Sequence, residues 1–180
     1  MRIVGGKFRS RRLRVAARPG LRPTPDRVRE TLFNWLGQQL DGLDCLDLFA
    51  GSGALGFESA SRGAARVVMV ERDRAALAEL QRSRAALNAN EVEIVSADAF
   101  AWLKRSRDRF DLVFLDPPFR QNAVAALLEG VAPLLKEGGR VYVESGDAIE
   151  VSAPWIELKR GKAGHVNYQL LQRAGSRERA

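Results

Sequence analysis

Short, almost continuously apolar segments that alternate with stretches of helical periodicity constrain this chain more than any other feature of its sequence. A strand that is apolar on both faces must be covered on both faces, and the helices between such strands supply the covers. The pattern therefore predicts an α/β fold with a parallel sheet. Five strands are predicted, at residues 45–49, 66–71, 91–96, 111–115 and 140–144.

The remaining elements follow from periodicity and from helix-capping signals. Thr24, Pro25 and Asp26 suit the start of a helix, and the apolar spacing after them extends it over residues 25–39. Two β-type runs near the end of the sequence surround a glycine-containing turn, which predicts an antiparallel hairpin at the edge of the sheet. Further helices are predicted at 54–62, 73–88, around Trp102 and at 122–135, and the hairpin at 155–159 and 166–171.

Positive charge is concentrated at the start of the chain. The formal net charge is +7, and residues 1–29 contain ten basic residues but one acidic residue. Such asymmetry favours a polyanionic partner, although a solvated charge run is the alternative. Two β-type runs, at 2–4 and 13–15, predict a β-hairpin within a basic arm that spans residues 1–20. The residues expected to contact nucleic-acid phosphates are Lys7, Arg9, Arg11, Arg12, Arg14 and Arg22.

A glycine-rich turn follows the first predicted strand. Gly51, Gly53 and Gly56 fit the pattern G-x-G-x-x-G, in which glycines let the backbone approach a nucleotide closely. Glu71 ends the second strand 20 residues after Gly51, where a carboxylate can accept hydrogen bonds from ribose hydroxyls. The pattern alone fits both NAD and S-adenosylmethionine.

Two further carboxylates favour S-adenosylmethionine. Asp47, inside the first strand, would repel a pyrophosphate but attract the ammonium of a methionine moiety. Asp98 follows the third strand and can accept a hydrogen bond from an adenine amino group, although an N-cap role explains it as well. The predicted cofactor-binding residues are Asp47, Phe49, Ala50, Gly51, Ser52, Gly53, Glu71, Arg72, Asp98 and Ala99.

The fourth predicted strand runs into a tetrad suited to chemistry on an aromatic amine. The lone pair of such an amine is delocalised into its ring, so an enzyme must orient the nitrogen towards the methyl donor. Asp116 and the carbonyl oxygen of Pro117 can each accept one N–H of the amine. Pro118 stiffens the loop, and Phe119 offers a face on which a base can stack. These four are the predicted catalytic residues; a plain proline-rich turn is the alternative.

Four blocks of the sequence resemble the RsmD-type bacterial 16S ribosomal RNA (guanine-N2)-methyltransferases. The most specific block contains Arg22-Pro23-Thr24 and then Glu30-Thr31-Leu32-Phe33-Asn34. The others begin at Ile3, Asp47 and Asp116, and the resemblance covers residues 2 to about 173.

This resemblance implies a Rossmann-like S-adenosylmethionine-dependent methyltransferase fold, with a seven-stranded, mostly parallel sheet. It implies in-line methylation of the N2 amino group of one flipped guanine. The implied partner is 16S ribosomal RNA in the assembling or assembled small subunit. It also implies a catalytic loop at residues 116–119 and a cofactor site that includes Asp47, Gly51, Gly53 and Glu71.

Other features bound the remaining possibilities. Cys45 is the one cysteine and His165 the one histidine, so neither a disulfide nor a metal site is expected. No apolar run approaches the roughly 20 residues of a membrane span, and no secretory signal is evident. We therefore expect a monomeric cytoplasmic protein that forms a single domain over residues 1–180, with a frayed tail at 174–180.

Three alternatives remain open at this point. The tetrad also suits a methyltransferase that acts on adenine N6 in DNA or RNA. The glycine turn also suits an NAD-dependent oxidoreductase, and the basic arm a non-catalytic RNA-binding module.

Overall fold

The computed structural model describes residues 1–14, 25–118 and 123–174. Its regular elements alternate between strand and helix from Asp44 onward, as the apolar pattern predicts. The strands are β1 (Asp44–Asp47), β2 (Arg66–Glu71), β3 (Val92–Ser96), β4 (Phe110–Leu115), β5 (Leu135–Ser145), β6 (Trp155–Ala163) and β7 (Val166–Arg173). The helices are α1 (Asp26–Leu36), α2 (Ala54–Ser61), α3 (Arg74–Leu87), α4 (Ala99–Arg105) and α5 (Ala123–Val131), followed by a 3₁₀ turn at Ala132–Leu134.

The seven strands form one sheet in the order β3-β2-β1-β4-β5-β7-β6. The pairs among the first five strands are all parallel, whereas β7 runs antiparallel to both of its neighbours, β5 and β6. The predicted Rossmann-like α/β fold with an antiparallel edge hairpin is therefore confirmed. The order reverses between β1 and β4, which is where open parallel sheets of this type bind their ligands.

Several element boundaries differ from those predicted. Helix α1 ends at Leu36 rather than at residue 39, because Gly37 adopts a left-handed conformation with φ of 102° and terminates the helix. Helix α5 stops at Val131, because Pro133 lacks the N–H that would continue it. Strand β5 then begins five residues earlier than predicted. Strand β1 ends at Asp47 instead of residue 49.

Two hydrophobic clusters fill the two sides of the sheet. One contains α1, α2 and α3 side chains, such as Phe33, Phe57 and Leu80, packed on Met69 and Phe114. The other joins side chains of α4 and α5 to the opposite face of the strands. Within the described part of the chain, no helix is long and apolar enough to cross a membrane.

The N-terminal hairpin packs against the domain rather than projecting from it. Backbone hydrogen bonds join Ile3 to Ser10 and Arg11, and one bridge pairs Arg2 with Arg12. Ile3 and Leu13 are 0% and 3% exposed and belong to the core cluster of α1 and α2. The hairpin prediction is thus confirmed for residues 1–13 as an irregular hairpin, while Val15 and the rest of the arm to residue 20 lie outside the described residues.

A buried ionic centre attaches this hairpin to helix α2. The Glu58 carboxylate, 0% exposed, accepts hydrogen bonds from the backbone N–H groups of Val4 and Gly5 at 2.8 and 2.7 Å. It also forms ion pairs with Arg62 at 2.8 Å and with the fully buried Arg29 of α1 at 3.3 Å. One carboxylate therefore joins the hairpin, α1 and α2.

We expect Glu58→Gln to lower the free energy of unfolding by about 3 kcal/mol, because it leaves two buried guanidinium groups without a full counter-charge. Urea denaturation at neutral pH measures this. The matched control is Glu93→Gln, whose carboxylate pairs with Arg66 at 3.0 Å on the surface. Glu93→Gln should lower the free energy of unfolding by less than about 1 kcal/mol. Equal losses in the two variants would contradict the assigned role of the buried centre.

Candidate active site

Three carboxylates lie side by side at the carboxyl ends of neighbouring strands. Asp47 ends β1 and is in register with Phe114 of β4, which is in register with Tyr142 of β5. Asp116 and Glu144 lie two residues further along β4 and β5. Alternate residues of a strand share a face, so all three carboxylates lie on the face covered by α1 and α2.

Their surroundings disfavour negative charge. Asp47 is 2% exposed, and burial raises its pKa to about 7. The Glu71 and Glu144 carboxylates act in the same direction, while the backbone N–H of Gly56, at 3.0 Å, opposes the shift. Burial likewise raises the pKa of Asp116 well above its ordinary value, with added repulsion from Glu144 and Asp47. The site is thus an acceptor-rich end of the sheet that favours cations and hydrogen-bond donors.

Asp116 is placed to receive a donor from a ligand. It follows β4 directly and is partly exposed, and within the described residues no hydrogen bond to its carboxylate offsets the repulsion that raises its pKa. Pro117, next to it, is buried, whereas Pro118 is exposed. Phe119, the fourth predicted catalytic residue, lies outside the described residues.

The glycine turn forms a close strand-to-helix connection. Gly53 has φ of 76°, and a Cβ there would lie 2.6 Å from the Phe57 ring, so glycine alone fits without strain. A Cβ on Gly56 would lie 2.3 Å from Met69, which shows how closely α2 approaches β2. Ala50 is buried beside this turn, and Phe49 packs partly buried on the opposite cluster.

Glu71 stabilises the turn from the end of β2. One carboxylate oxygen accepts the backbone N–H of Gly51 at 2.9 Å, and the other accepts those of Arg72 and Asp73 at 2.8 and 2.7 Å. The predicted ribose-binding carboxylate therefore also fixes the glycine loop. Ser52 faces the N-terminal hairpin, with its hydroxyl 3.8 Å from the Met1 sulfur.

The more distant predicted cofactor residues come together at the ends of β2 and β3. Asp98 forms an ion pair with Arg72 at 3.6 Å. Asp98 also caps α4, because its side chain accepts the backbone N–H of Ala101 at 3.1 Å. The Asp98 and Arg72 side chains that make these contacts are exposed to solvent, whereas Ala99 is buried. The capping role, one of the two alternatives for Asp98, is therefore observed.

The residues present fit S-adenosylmethionine on the chemistry of their donors. That molecule carries an ammonium and a sulfonium, and either cation near Asp47 and Asp116 would offset the burial of their negative charge. A pyrophosphate would add negative charge to the same end of the sheet. Among the residues that the structure describes, no group of histidine, cysteine or carboxylate side chains is arranged to hold a metal ion.

The predicted RNA-binding residues divide into two groups. Lys7 pairs with Glu91 at 2.6 Å, and Arg11 donates to the carbonyl oxygen of Ala86 at 2.9 Å, so both also make contacts within the protein. Arg9, Arg12 and Arg14 are exposed, and the described portion of the chain contains no acidic partner for them. Arg22 lies outside the described residues.

Comparison with known proteins identifies the family. Residues 1–172 match the family described as "Conserved hypothetical protein 95". The "Ribosomal RNA small subunit methyltransferase D" of Escherichia coli is 43% identical, over 99% of this chain and 92% of the relative. The protein of the same name from Haemophilus influenzae is 40% identical, over 96% and 93%. The chain belongs to the RsmD family.

A solved structure extends this agreement to three dimensions. The protein yhhF from Escherichia coli superimposes on this RsmD-family chain with a TM-score of 0.88 at 42% identity, covering 98% of this chain and 99% of that one. The resemblance carried by the four sequence blocks is thereby confirmed.

Glu144 is the residue of this RsmD-family site that sequence reasoning does not identify. It is 5% exposed and accepts a hydrogen bond from the Tyr142 hydroxyl at 2.9 Å. In the sequence it is simply the polar end of an apolar run, a position that surface residues often occupy. The signal that could have found it is its place at the end of β5, beside the strand that carries the tetrad.

Asp47→Asn should reduce the pH dependence of stability. Because folding raises the Asp47 pKa from 3.8 to about 7, the folded chain holds a proton that the unfolded chain has lost. Stability from this group is therefore greatest below about pH 4 and falls as pH rises to about 7, by on the order of 2 to 4 kcal/mol. Denaturation of wild type and variant across this range measures the difference.

Asp44→Asn provides the control, because Asp44 lies at the opposite end of β1 and forms an ion pair with Lys136 at 2.7 Å. This variant should retain the wild-type decline between about pH 4 and pH 7. If Asp47→Asn retained it too, the buried carboxylate would not be its source.

Proposed function

We propose that this protein methylates the exocyclic N2 amino group of one guanine in 16S ribosomal RNA, with S-adenosylmethionine as methyl donor. The observation that carries the proposal is the juxtaposition of Asp116 and Pro117 with the buried Asp47 at the switch point of the sheet. The names of the relatives, which specify small-subunit ribosomal RNA, support this substrate.

The target base must leave its stack to reach this site, because Asp116 and Pro117 lie at the end of a buried strand. Asp116 accepts one N–H of the base amine, and the Pro117 carbonyl oxygen accepts the other. With both hydrogens held, the nitrogen lone pair is directed along one line, which is the near-attack geometry that accelerates transfer. S-adenosylmethionine, when bound, supplies an electrophilic methyl group on a positively charged sulfur.

Asp116 also suits the proton transfer that follows. As the amine nitrogen bonds to the methyl carbon, the carbon–sulfur bond of the donor would break and the sulfur would keep the electron pair. The nitrogen becomes cationic and must lose one proton. Burial and neighbouring carboxylates raise the pKa of Asp116, so it is a better proton acceptor than an exposed aspartate. Before transfer, the same carboxylate acts as a hydrogen-bond acceptor, since a neutral aromatic amine is far too weak an acid to be deprotonated by it.

Substitution of Asp116 tests the chemistry. We expect Asp116→Asn to lower kcat by about 10²- to 10⁴-fold, because the amide cannot take the proton and presents a donor beside the amine. Methylation of small subunits from a strain that lacks the enzyme, followed by digestion to nucleosides, identifies the product as N2-methylguanosine. Filter binding should show RNA affinity within about 2-fold of wild type.

Asp108→Asn is the matched control, because Asp108 pairs with Arg66 at the opposite end of β4. It should leave turnover unchanged. Full activity of Asp116→Asn would exclude the assigned catalytic role. N6-methyladenosine in place of N2-methylguanosine would instead support the adenine-directed alternative.

The exposed face of the N-terminal hairpin is proposed to bind RNA phosphates. Replacing Arg9, Arg12 and Arg14 together by Gln should weaken RNA binding and reduce its log–log salt slope by roughly 2 to 3, because each lost phosphate contact removes about 0.7 to 0.9. These side chains are exposed, so the fold should persist. Fluorescence anisotropy at several salt concentrations measures the slope.

Three basic residues on the other side of the sheet supply the control. Lys104, Arg105 and Arg107 are exposed at and just beyond the end of α4, and their replacement by Gln changes the net charge equally. We expect the salt slope of this control to stay within about 0.5 of wild type. Equal effects of the two triple substitutions would mean that overall charge, and not the hairpin, governs binding.

A further inference from the structure

Glu144 lies beside Asp116 on the neighbouring strand. The register of β4 and β5 ends with Leu115 paired to Val143, and Asp116 and Glu144 directly follow this last pair, so they lie side by side at the ends of the paired segments. Paired residues on parallel strands point to the same face and lie about 4.8 Å apart at the backbone. A single base edge can span two side chains at this separation.

Tyr142 and the aromatic rings packed against it position the Glu144 carboxylate. The Tyr142 hydroxyl donates to it at 2.9 Å, and the Tyr142 ring packs against Phe114 and Tyr168 with centroid distances of 6.3 and 6.4 Å. Trp35 of α1 stacks on Tyr168 in turn, at 5.3 Å. Phe114, Tyr142 and Tyr168 are buried and Trp35 is partly buried, so this aromatic cluster fixes the position and direction of the carboxylate at the end of β5.

The two amino-bearing purine bases differ at the ring atom next to the amine. Guanine presents N1–H beside its N2 amino group, so its edge carries only donors there. Adenine presents the bare lone pair of N1 beside its N6 amino group. A second carboxylate next to Asp116 therefore complements guanine and opposes adenine, since acceptor would face acceptor.

From this geometry we propose that Glu144 is a specificity-determining residue, whose carboxylate accepts the N1–H of the target guanine while Asp116 and Pro117 hold its N2 amino group. The inference rests on the proposed function and adds the means by which the site selects its base. Because Glu144 is 5% exposed, water would compete little for this hydrogen bond, and a base that lacks the donor would be strongly rejected.

A base analogue separates N1 recognition from N2 recognition. 2,6-Diaminopurine carries the same N2 amino group as guanine but has a bare lone pair at N1. An RNA fragment with this analogue at the modified position can be assembled by splint ligation and compared with the guanine form in the same particle. A site that reads only the amine methylates both bases alike.

We expect wild-type kcat/KM to be about 100-fold or more lower for diaminopurine than for guanine. Glu144→Gln should lower kcat/KM for guanine by about 10-fold or more and narrow the ratio between the bases to less than about 10, because the amide N–H can donate to the bare N1. An equal rate on both bases by wild type, or an unchanged ratio in Glu144→Gln, would overturn the inference.

Two further variants keep the test decisive. Glu144→Asp retains the charge but shortens the side chain, so it should slow guanine methylation and still reject diaminopurine. Methylation of diaminopurine by this variant at a rate similar to that of guanine would also overturn the inference. Glu137→Gln, on an exposed part of β5 at its opposite end, should leave both rates unchanged. Methylation of adenine N6 by wild type would overturn the proposed function itself, and the inference with it.

Discussion

The crowding of three acidic side chains at one end of the sheet is the constraint around which this structure is organised. Parallel strands deliver their carboxyl ends to one edge of the sheet, and here β1, β4 and β5 each bring an acid to the same face. Few backbone donors offset the charge of Asp47, and among the described residues none offsets that of Asp116. This arrangement disfavours ionisation of the acidic side chains. It also makes the site selective, because a ligand that supplies cations and N–H donors relieves the repulsion.

The surrounding elements fix the position of the glycine loop and of α2 beside these strand ends. Glu71 accepts the backbone N–H of Gly51 in the glycine loop as well as those of Arg72 and Asp73, and the close contact between Gly56 and Met69 sets the distance of α2 from the sheet. On the other side of α2, Glu58 binds the N-terminal hairpin. The described part of the hairpin and the glycine loop are therefore both joined to α2, the hairpin through Glu58 and the loop by direct continuation of the chain.

Local patterns in the sequence predict a large part of this arrangement. The apolar strands, the glycine turn and the tetrad are each contiguous in the sequence, and in an α/β sheet the carboxyl ends of the parallel strands lie at one edge. Glu144 and Glu58 could not be predicted in the same way. Glu144 acquires its role from the register of β5 against β4, and Glu58 from partners on other elements, among them hairpin N–H groups more than 50 residues away in the sequence. The predicted start of β5 is five residues too late, because Gly138-Gly139 resembles the end of a helix, although the strand passes through it.

The position of β7 has a consequence for biosynthesis. It is the final strand along the described chain, yet it lies between β5 and β6 in the sheet. During synthesis one edge of β5 therefore stays unpaired until β7 has been made. An unpaired apolar strand edge can form hydrogen bonds with other chains and so promote aggregation. The half of the sheet that carries the glycine turn can form early. The strand that carries Glu144 is paired on both edges only after β7 has been synthesised. Nascent chains stalled before Val166 would be the form most prone to aggregate.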